Sequence, residues 1–297
     1  MTRCPASALV TRTLADVDGV RVTSVRCRAP ADGGHPPAPP ETGALRRVVL
    51  PVNGVFSCAG RGASYVLGPG SGLVLEADEP YRFGHPAAGG DECVVIALSA
   101  DAWAEWAEWA ENVPAGLRPY GRGERLRLDS RDLWRTVLFR AAAEGRRGEP
   151  HAVRELAVLH LAELGARGGG TVPASGPVPA SRRRVADAAA AFLAAHYAEP
   201  IPRLLDAAAA AADCSPYHLA RAFRAVHGMT LHAYRERLRT AAALRALADG
   251  ADDLARLGTS LGYASHGHFT DRLRRAVASP PSRIRAVLRE SYGRGAR

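Results

Sequence analysis

The sequence predicts an α+β protein of two domains, in which an N-terminal β-barrel and its following helices precede a C-terminal all-α domain. Three features of the 297 residues support this prediction. Short apolar segments precede Asp101, helical periodicity begins there, and one helical unit occurs twice in the last 117 residues. The boundaries between these features divide the chain into the four segments 1–128, 129–167, 168–181 and 182–297.

The N-terminal segments have the pattern of β-strands. VRVTSVRCR at 20–28 nearly alternates apolar and polar residues, as a half-buried strand does. Further short apolar segments lie at 46–52, 54–58, 63–67, 72–77 and 93–99. Clusters of Gly, Pro and Asp separate them, which is typical of a small barrel or sandwich. The Pro-rich stretch HPPAPP at 35–40 is predicted to be a loop.

The hydrophobic period changes after the last predicted strand. Trp103, Trp106 and Trp109 lie three residues apart, which places them on one face of a helix. Such a face is consistent with packing in the core or at an interface. The alternative is stacking on a ligand. Two more amphipathic helices are predicted near 130–144 and 150–166, and this helical pair is a candidate dimerisation element.

Net charge divides the chain at the predicted linker GGGTVPASGPVPAS, residues 168–181. The first 180 residues carry 20 arginines and 20 acidic residues, whereas 181–297 carry 19 arginines and 10 acidic residues. The whole excess of +9 therefore lies in the C-terminal segment. A basic domain joined to a neutral one indicates an anionic partner for the basic domain.

The basic segment contains an internal repeat at an offset of 50 residues. Ser215, His218, Leu219, Phe223, Arg224 and Arg235 recur as Ser265, His268, Phe269, Leu273, Arg274 and Arg285. Each copy predicts a helix, a short turn and a second helix, at 205–212 and 216–227, then at 252–261 and 266–277. This is the pattern of two helix-turn-helix modules.

Turn and cap residues support these modules. Gly262 suits the left-handed conformation of the second turn, and Ser215 and Ser265 are predicted N-caps of the following helices. A linking helix at 231–248 would be about 27 Å long at ~1.5 Å per residue. That length suits two recognition helices that lie one DNA turn, about 34 Å, apart.

In DNA-binding modules of this kind, the exposed face of the second helix enters the major groove. The residues predicted on these faces are Tyr217, His218, Ala220, Arg221 and Arg224 in the first copy, and His266, Gly267, Thr270, Asp271, Arg274 and Arg275 in the second. Arg221 is the candidate contact to guanine, and Arg224 the candidate contact to phosphate. We expect the second module to bind DNA more weakly, because the carboxylate of Asp271 would repel the phosphates. The alternatives are that Asp271 accepts a hydrogen bond from cytosine, or that it pairs with Arg274 or Arg275.

The segments CSPYHLARAFRAVHG, at 214–228, and LGYASHGHFTDRLRRAVASPPSRIR, at 261–285, resemble the two helix-turn-helix modules of the AraC/XylS family of bacterial regulators. The resemblance covers about residues 182–290. It departs from the family pattern at Ala278, where the family usually has Gly. The resemblance implies a transcription regulator that binds double-stranded DNA, forms a homodimer and, as an activator, contacts RNA polymerase.

LGPGSGLVLEADEPYRFGH at 67–85 resembles a strand, turn and strand of the cupin-like sensor barrel that many such regulators carry. The resemblance implies that the barrel binds a small-molecule effector. Tyr65, Tyr81, Phe83 and His85 are candidate lining residues of the effector site, with core packing as the alternative for each. The effector, the operator and the sign of regulation are not implied.

Two other functions fit this sequence less well than a regulator does. A metal-dependent cupin enzyme needs about three His and a carboxylate, whereas residues 1–128 contain only His35 and His85. A DNA-alkylation-repair protein with this type of DNA-binding domain would use four cysteines at one zinc site, and Cys4, Cys27, Cys58 and Cys93 lack paired spacing. We therefore expect no enzyme activity, no catalytic or metal site and no cofactor.

The five cysteines, of which Cys214 is the last, are predicted to be buried thiols, with a redox sensor as the alternative. The sequence has no run of 18 apolar residues and no signal peptide, so we expect a cytoplasmic protein with no membrane partner.

Overall fold

The computed structural model describes residues 9–28, 40–60, 63–111, 125–146, 148–166 and 178–293. Cys4, His35 and most of the predicted linker lie outside these ranges. Two residues assigned to that linker, Ala180 and Ser181, instead begin the first helix of the C-terminal part.

The N-terminal part is an antiparallel β structure followed by helices, as predicted. Its strands are β1 (Leu9–Val17), β2 (Val20–Cys27), β3 (Arg46–Gly54), β4 (Phe56–Gly60), β5 (Ala63–Leu67), β6 (Ser71–Leu75), β7 (Tyr81–Gly84), β8 (Asp91–Leu98) and β9 (Arg125–Arg127). One sheet has the order β1-β2-β8-β3-β6-β9 and the other the order β5-β4-β7. The inner faces of the two sheets pack against each other around Val49, Phe56 and Leu67.

The sequence did not predict β1 and β9. β1 is an edge strand whose first five residues are exposed, so it carries little hydrophobic pattern of its own. It pairs with β2 through a hairpin at Asp18 and Gly19, both of which have positive φ. Asp-Gly at such a turn matches the right-handed twist of the strands, so the turn and the partner strand define β1.

Ten helices are described: α1 (Ala100–Glu111), α2 (Ser130–Gly145), α3 (Pro150–Ala166), α4 (Ala180–His196), α5 (Leu204–Ala211), α6 (Pro216–His227), α7 (Leu231–Ala248), α8 (Leu254–Ser260), α9 (His266–Val277) and α10 (Pro281–Gly293). The predicted helix pairs of both repeats are confirmed to within two residues at each boundary. Trp103 and Trp106 of α1 are buried in the core, with ring centroids 5.1 Å apart.

Both faces of the larger sheet are buried, which explains the continuous apolar run of β8. Val94, Ile96 and Leu98 face one way, into a core that also contains helical residues, whereas Cys93 and Val95 face the inside of the barrel. Successive side chains on a strand point to opposite faces. The strand therefore joins the inside of the barrel to the helical layer outside it.

One hydrophobic core crosses the predicted boundary between the domains. Leu133 of α2 and Ile96 of β8 belong to the same cluster as Leu244 of α7, Phe269 of α9 and Leu288 of α10. The C-terminal helices therefore pack on the barrel and on α2. No described helix is both long and apolar enough to span a bilayer.

Candidate nucleic-acid interface and sensor cavity

The first helix-turn-helix module comprises α5 and α6. Ser215 caps α6, because its side chain accepts a hydrogen bond from the backbone N–H of His218 at 3.2 Å, and Pro216 begins the helix. Leu219, Phe223 and Val226 are buried, as their spacing predicted. The cap fixes where α6 begins, and the apolar spacing fixes which side of it faces away from the core.

The opposite side of α6 is open to solvent. Tyr217 is 72 % exposed, His218, Arg221 and Arg224 are exposed as well, and Ala220 is half-buried. The guanidinium carbon of Arg221 lies 5.6 Å from the centroid of the Tyr217 ring, within the range of a cation–π contact. This contact holds Arg221 on the outward face of the helix.

The second module comprises α8 and α9, which meet at a turn that requires glycine. Gly262 has φ +78°, and a Cβ there would lie 2.1 Å from the carbonyl oxygen of Ala198. Ser265 caps α9 by accepting from the N–H of His268 at 3.1 Å. The sequence did not predict a second close approach, at Gly258, where a Cβ would lie 2.9 Å from Cβ of Phe269.

The outward side of α9 carries His266, Gly267, Arg274 and Arg275, all exposed, with Thr270 and Asp271 half-buried. Asp271 Oδ2 lies 2.9 Å from Arg275 Nη2, and Asp271 Oδ1 lies 3.5 Å from Arg274 Nη2. The carboxylate therefore has two arginine partners on its own helix. Exposed ion pairs of this kind contribute little to stability.

Ala278 ends α9 in a left-handed conformation, with φ +59°, where the first module has Gly228 at φ +71°. A Cβ is disfavoured in this conformation. We expect Ala278→Gly to raise the free energy of unfolding by about 1 kcal/mol, measured by urea denaturation. Ala276→Gly, inside α9, is the control and should lower it by about 0.5–1 kcal/mol. Destabilisation by both substitutions would contradict the assignment of strain to Ala278.

Helix α7 joins the two modules and also contacts the barrel domain. Arg237 Nη1 donates to the carbonyl oxygen of Leu128 at 2.6 Å. Nearer the C-terminal end of the helix, Arg245 Nε lies 3.1 Å from Oε1 of Glu92, the second residue of β8. The helix between the modules is thus tied to the barrel at two points.

Glu92 is the centre of a buried ion-pair network that sequence reasoning missed. It is 2 % exposed, and its carboxylate also lies 2.7 Å from Arg26 Nε of β2 and 2.8 Å from Arg140 Nη1 of α2. Burial alone would raise the pKa of Glu92, but Arg140, Arg245 and Arg26 together lower it below the ordinary value. The one sign of this network in the sequence is that a charged residue, Glu92, lies at the start of a continuous apolar strand.

The barrel contains a cavity of about 810 Å³ that opens to solvent. Its apolar lining includes Val25, Val49, Phe56, Phe83 and Val95. Its polar lining includes Arg21, Glu41, Arg47, His85 and Asp91. A mostly apolar wall with a few polar groups is typical of a small-molecule site.

Of the four candidate lining residues, the structure brings two to this cavity. Phe83 and His85 line it, whereas Tyr65 and Tyr81 are not among the described residues of its wall. Tyr81 is buried in the barrel core, where Phe83 packs on its ring at 4.9 Å and Arg47 donates to its hydroxyl. Tyr65 packs at the edge of the same core, with Arg183 of α4 at 6.0 Å from its ring. Core packing, the alternative considered above, describes both tyrosines.

Four polar side chains meet on one side of the cavity. His85 Nε2 lies 2.7 Å from Asp91 Oδ1, Cys93 Sγ donates to Asp91 Oδ2 at 3.0 Å, and Cys27 Sγ lies 3.8 Å from His85 Nδ1. All four are buried. Burial, and next the neighbouring Asp91, raises the pKa of the Cys93 thiol well above its ordinary value. Sequence spacing did not predict this cluster, which the register of β2 with β8 brings together.

Two family models match the chain. One, described as an AraC-binding-like domain, matches residues 10–167, which is more than half of the chain. The other, described as a helix-turn-helix domain, matches residues 208–286. No curated protein matches the chain at a significant level.

Two of the similar solved structures share low sequence identity with this chain. ToxT from Vibrio cholerae O395 is 9% identical, covers 95% of this chain and 98% of its own, and has a TM-score of 0.36. A cupin superfamily protein from Desulfitobacterium hafniense DCB-2 is 15% identical, covers 31% of this chain and 77% of its own, and has a TM-score of 0.27.

Proposed function

This chain belongs to the AraC family of DNA-binding transcription regulators, and we propose that it contacts DNA through the outward faces of α6 and α9 under the control of a small molecule in the barrel cavity. The observation that carries the proposal is the pair of capped helices, each with a buried apolar face and an exposed face that carries arginine. Both helices lie in the segment that holds the whole net positive charge. The family favours a regulator over an enzyme.

Within α6, we assign Arg221 to a base contact and Arg224 to a phosphate contact. Arg221 lies one turn after Tyr217 on the outward face, nearer the N-terminus of the helix, which is the part of a recognition helix that contacts base edges. Its planar guanidinium can donate to both O6 and N7 of guanine. Arg224 lies in the last turn of α6, farther from the base edges.

Arg221→Ala should therefore weaken binding to the preferred site by about 1–3 kcal/mol and relax the preference at one base position. Arg224→Ala should weaken binding to all sequences alike. The measurement is selection from a randomised site library, followed by Kd values on the selected sites. If both variants lose affinity uniformly across the library, the assignment of Arg221 is wrong.

We assign the second module to backbone positioning through Arg274 and Arg275, both of which pair with Asp271 on the same helix. Since the carboxylate has arginine partners at 2.9 and 3.5 Å, its negative charge is partly offset. His266, Gly267 and Thr270 leave few long side chains on the same face for contacts to bases. The second module then adds affinity more than it adds sequence preference.

The barrel cavity is the proposed effector site, with Phe83 and His85 in its wall. A ligand at 100 times its Kd should stabilise the chain by about 2.7 kcal/mol, which a thermal-shift screen of small organic molecules would detect. Phe83→Ala should reduce the shift, because it removes apolar contact in the cavity, whereas Phe192→Ala in α4 should leave it unchanged. A hit whose shift survives Phe83→Ala in full would place the effector elsewhere.

The proposal includes two protein partners. A second copy of this chain would dock on α3 and β1, which contact each other and expose Leu159, Leu9 and Val10. Exposed apolar side chains on adjoining elements are typical of an interface. RNA polymerase would be the other partner if the chain is an activator.

A further inference from the structure

We propose that the chain binds one zinc ion, or another borderline-soft divalent cation, at the cavity wall through Cys27, His85 and Asp91. These three side chains form the one group of possible metal ligands found among the described residues. Thiolate, imidazole and carboxylate are the ligands that zinc takes in proteins. The proposal concerns metal binding itself and does not depend on the identity of the effector.

The three side chains are close enough to share an ion. One ligand atom from each lies within 4.8 Å of the other two. A tetrahedral zinc ion holds such atoms about 3.3–3.5 Å apart, given bonds of ~2.0 Å to nitrogen or oxygen and ~2.3 Å to sulfur. Asp91 Oδ1 lies 2.7 Å from Nε2 of His85, whereas Cys27 Sγ lies 3.8 Å from Nδ1. The imidazole must therefore turn so that one ring nitrogen faces both partners, and the ion then replaces the hydrogen that His85 and Asp91 share.

The backbone places two of these ligands on strands and the third at the end of a strand. Cys27 and Asp91 lie directly opposite each other in the antiparallel pair of β2 and β8, so their side chains are on the same face. His85 directly follows β7 of the other sheet. The site thus joins the two sheets of the barrel, and no loop has to close to form it.

Cys93 orients the carboxylate. Its thiol donates to Asp91 Oδ2 at 3.0 Å, which leaves Oδ1 directed at His85 and the metal position. Hydrogen bonds of this kind from outside the ligand set commonly fix metal ligands in place. Cys93 is therefore a positioning residue.

Charge balance favours the cation. Asp91 is 6 % exposed and His85 is 8 % exposed, so an ion held between them would be shielded from bulk water. Cys27 releases a proton when it binds the metal, and one thiolate with one carboxylate neutralises a divalent ion. Because all three ligands line the cavity, the fourth coordination position is open to water or to a polar group of a ligand in the cavity.

The test uses the untagged full chain after removal of metal with a chelator. Titration with Co²⁺ should give one equivalent of bound metal and a thiolate-to-cobalt absorption band, and Zn²⁺ should then displace the cobalt. Cys27→Ser should remove the band and weaken Zn²⁺ binding by about 100-fold or more, and His85→Gln should weaken it similarly. Cys93→Ser should keep the band and weaken binding by about 10-fold, as expected for a positioning residue.

Cys58→Ser is the matched control, because Cys58 is a buried cysteine of the same barrel that lies outside the ligand group. It should retain both the band and the affinity. The proposal is overturned if the wild-type chain binds no metal, or if Cys27→Ser and His85→Gln both bind as the wild type does. If Cys27→Ser does not fold, two measurements decide the result: the number of metal ions bound per wild-type chain, and the Zn²⁺ affinity of His85→Gln.

Discussion

Glu92→Gln should lower the free energy of unfolding by about 3–5 kcal/mol, the usual loss when one partner of a buried ion pair is removed. Arg140 is 5 % exposed, and its guanidinium depends on Glu92 at 2.8 Å for its nearest buried negative charge. The amide retains the shape of the carboxylate and removes its charge. Urea denaturation at neutral pH measures the loss. Glu105→Gln is the control, since its ion pair with Arg154 is exposed on the Glu105 side and should contribute less than about 1 kcal/mol.

The destabilisation caused by Glu92→Gln should become smaller as the pH falls. Because the folded state lowers the pKa of Glu92, the carboxylate contributes its full stabilisation above the ordinary value of 4.5 and loses it as the pH falls further. The wild-type chain should therefore lose stability in acid faster than Glu92→Gln does. A difference between the two proteins that stays constant from neutral pH to well below 4.5 would exclude Glu92 as the titrating group.

Glu92 and Asp91 lie next to each other on β8 but face different parts of the molecule. Asp91 faces the cavity and Glu92 the helical layer, because adjacent residues of a strand point to opposite faces. One peptide unit thus separates the cavity wall from the carboxylate that holds Arg245 of α7.

DNA binding by the full chain should weaken by about 10³–10⁴-fold between about 50 and 200 mM salt. If about five to eight phosphates are contacted, log K should fall with log salt at a slope of about −5 to −7. Fluorescence anisotropy with a labelled duplex measures both quantities. The expectation rests on the excess charge of +9, all of it in residues 181–297.

Two variants test whether the salt slope arises at the proposed interface. Arg224→Ala should reduce the slope by about one, because it removes one phosphate contact. Arg82→Ala, an exposed arginine of β7 in the barrel, should leave the slope unchanged. A slope near zero in the wild-type chain, or an equal change in both variants, would contradict DNA binding through the outward faces of α6 and α9.

Sequence reasoning predicted the helix-turn-helix modules closely because their determinants are local. Ser215 and Ser265 cap helices that begin at the next residue, and Gly262 is required by the conformation of its own turn. The spacing of Leu219 and Phe223 alone fixes which side of α6 is buried. The caps, the left-handed turn and the apolar spacing all arise within each module, although the close approach of Ala198 to Gly262 does not.

The barrel was predicted less completely. Most strands were predicted from their apolar segments, but β1 depends on pairing with β2, and three-residue β9 depends on pairing with β6. For Tyr65 and Tyr81, residue type left both effector contact and core packing as alternatives. Both tyrosines lie in the barrel core because residues from other strands and helices pack on them. Residue type alone does not show which distant residues those are.

The sequence by itself thus determined the two modules and the family, which depend on residue order over short spans, and the separation of charge, which depends on composition alone. Tertiary structure alone decided the contacts that join distant segments. Cys27 meets Asp91 only through strand register, and Glu92 meets Arg245 only because α7 packs on the barrel. Such juxtapositions arise when a shared core buries both faces of one sheet, and no local pattern in the chain specifies which distant side chains then meet.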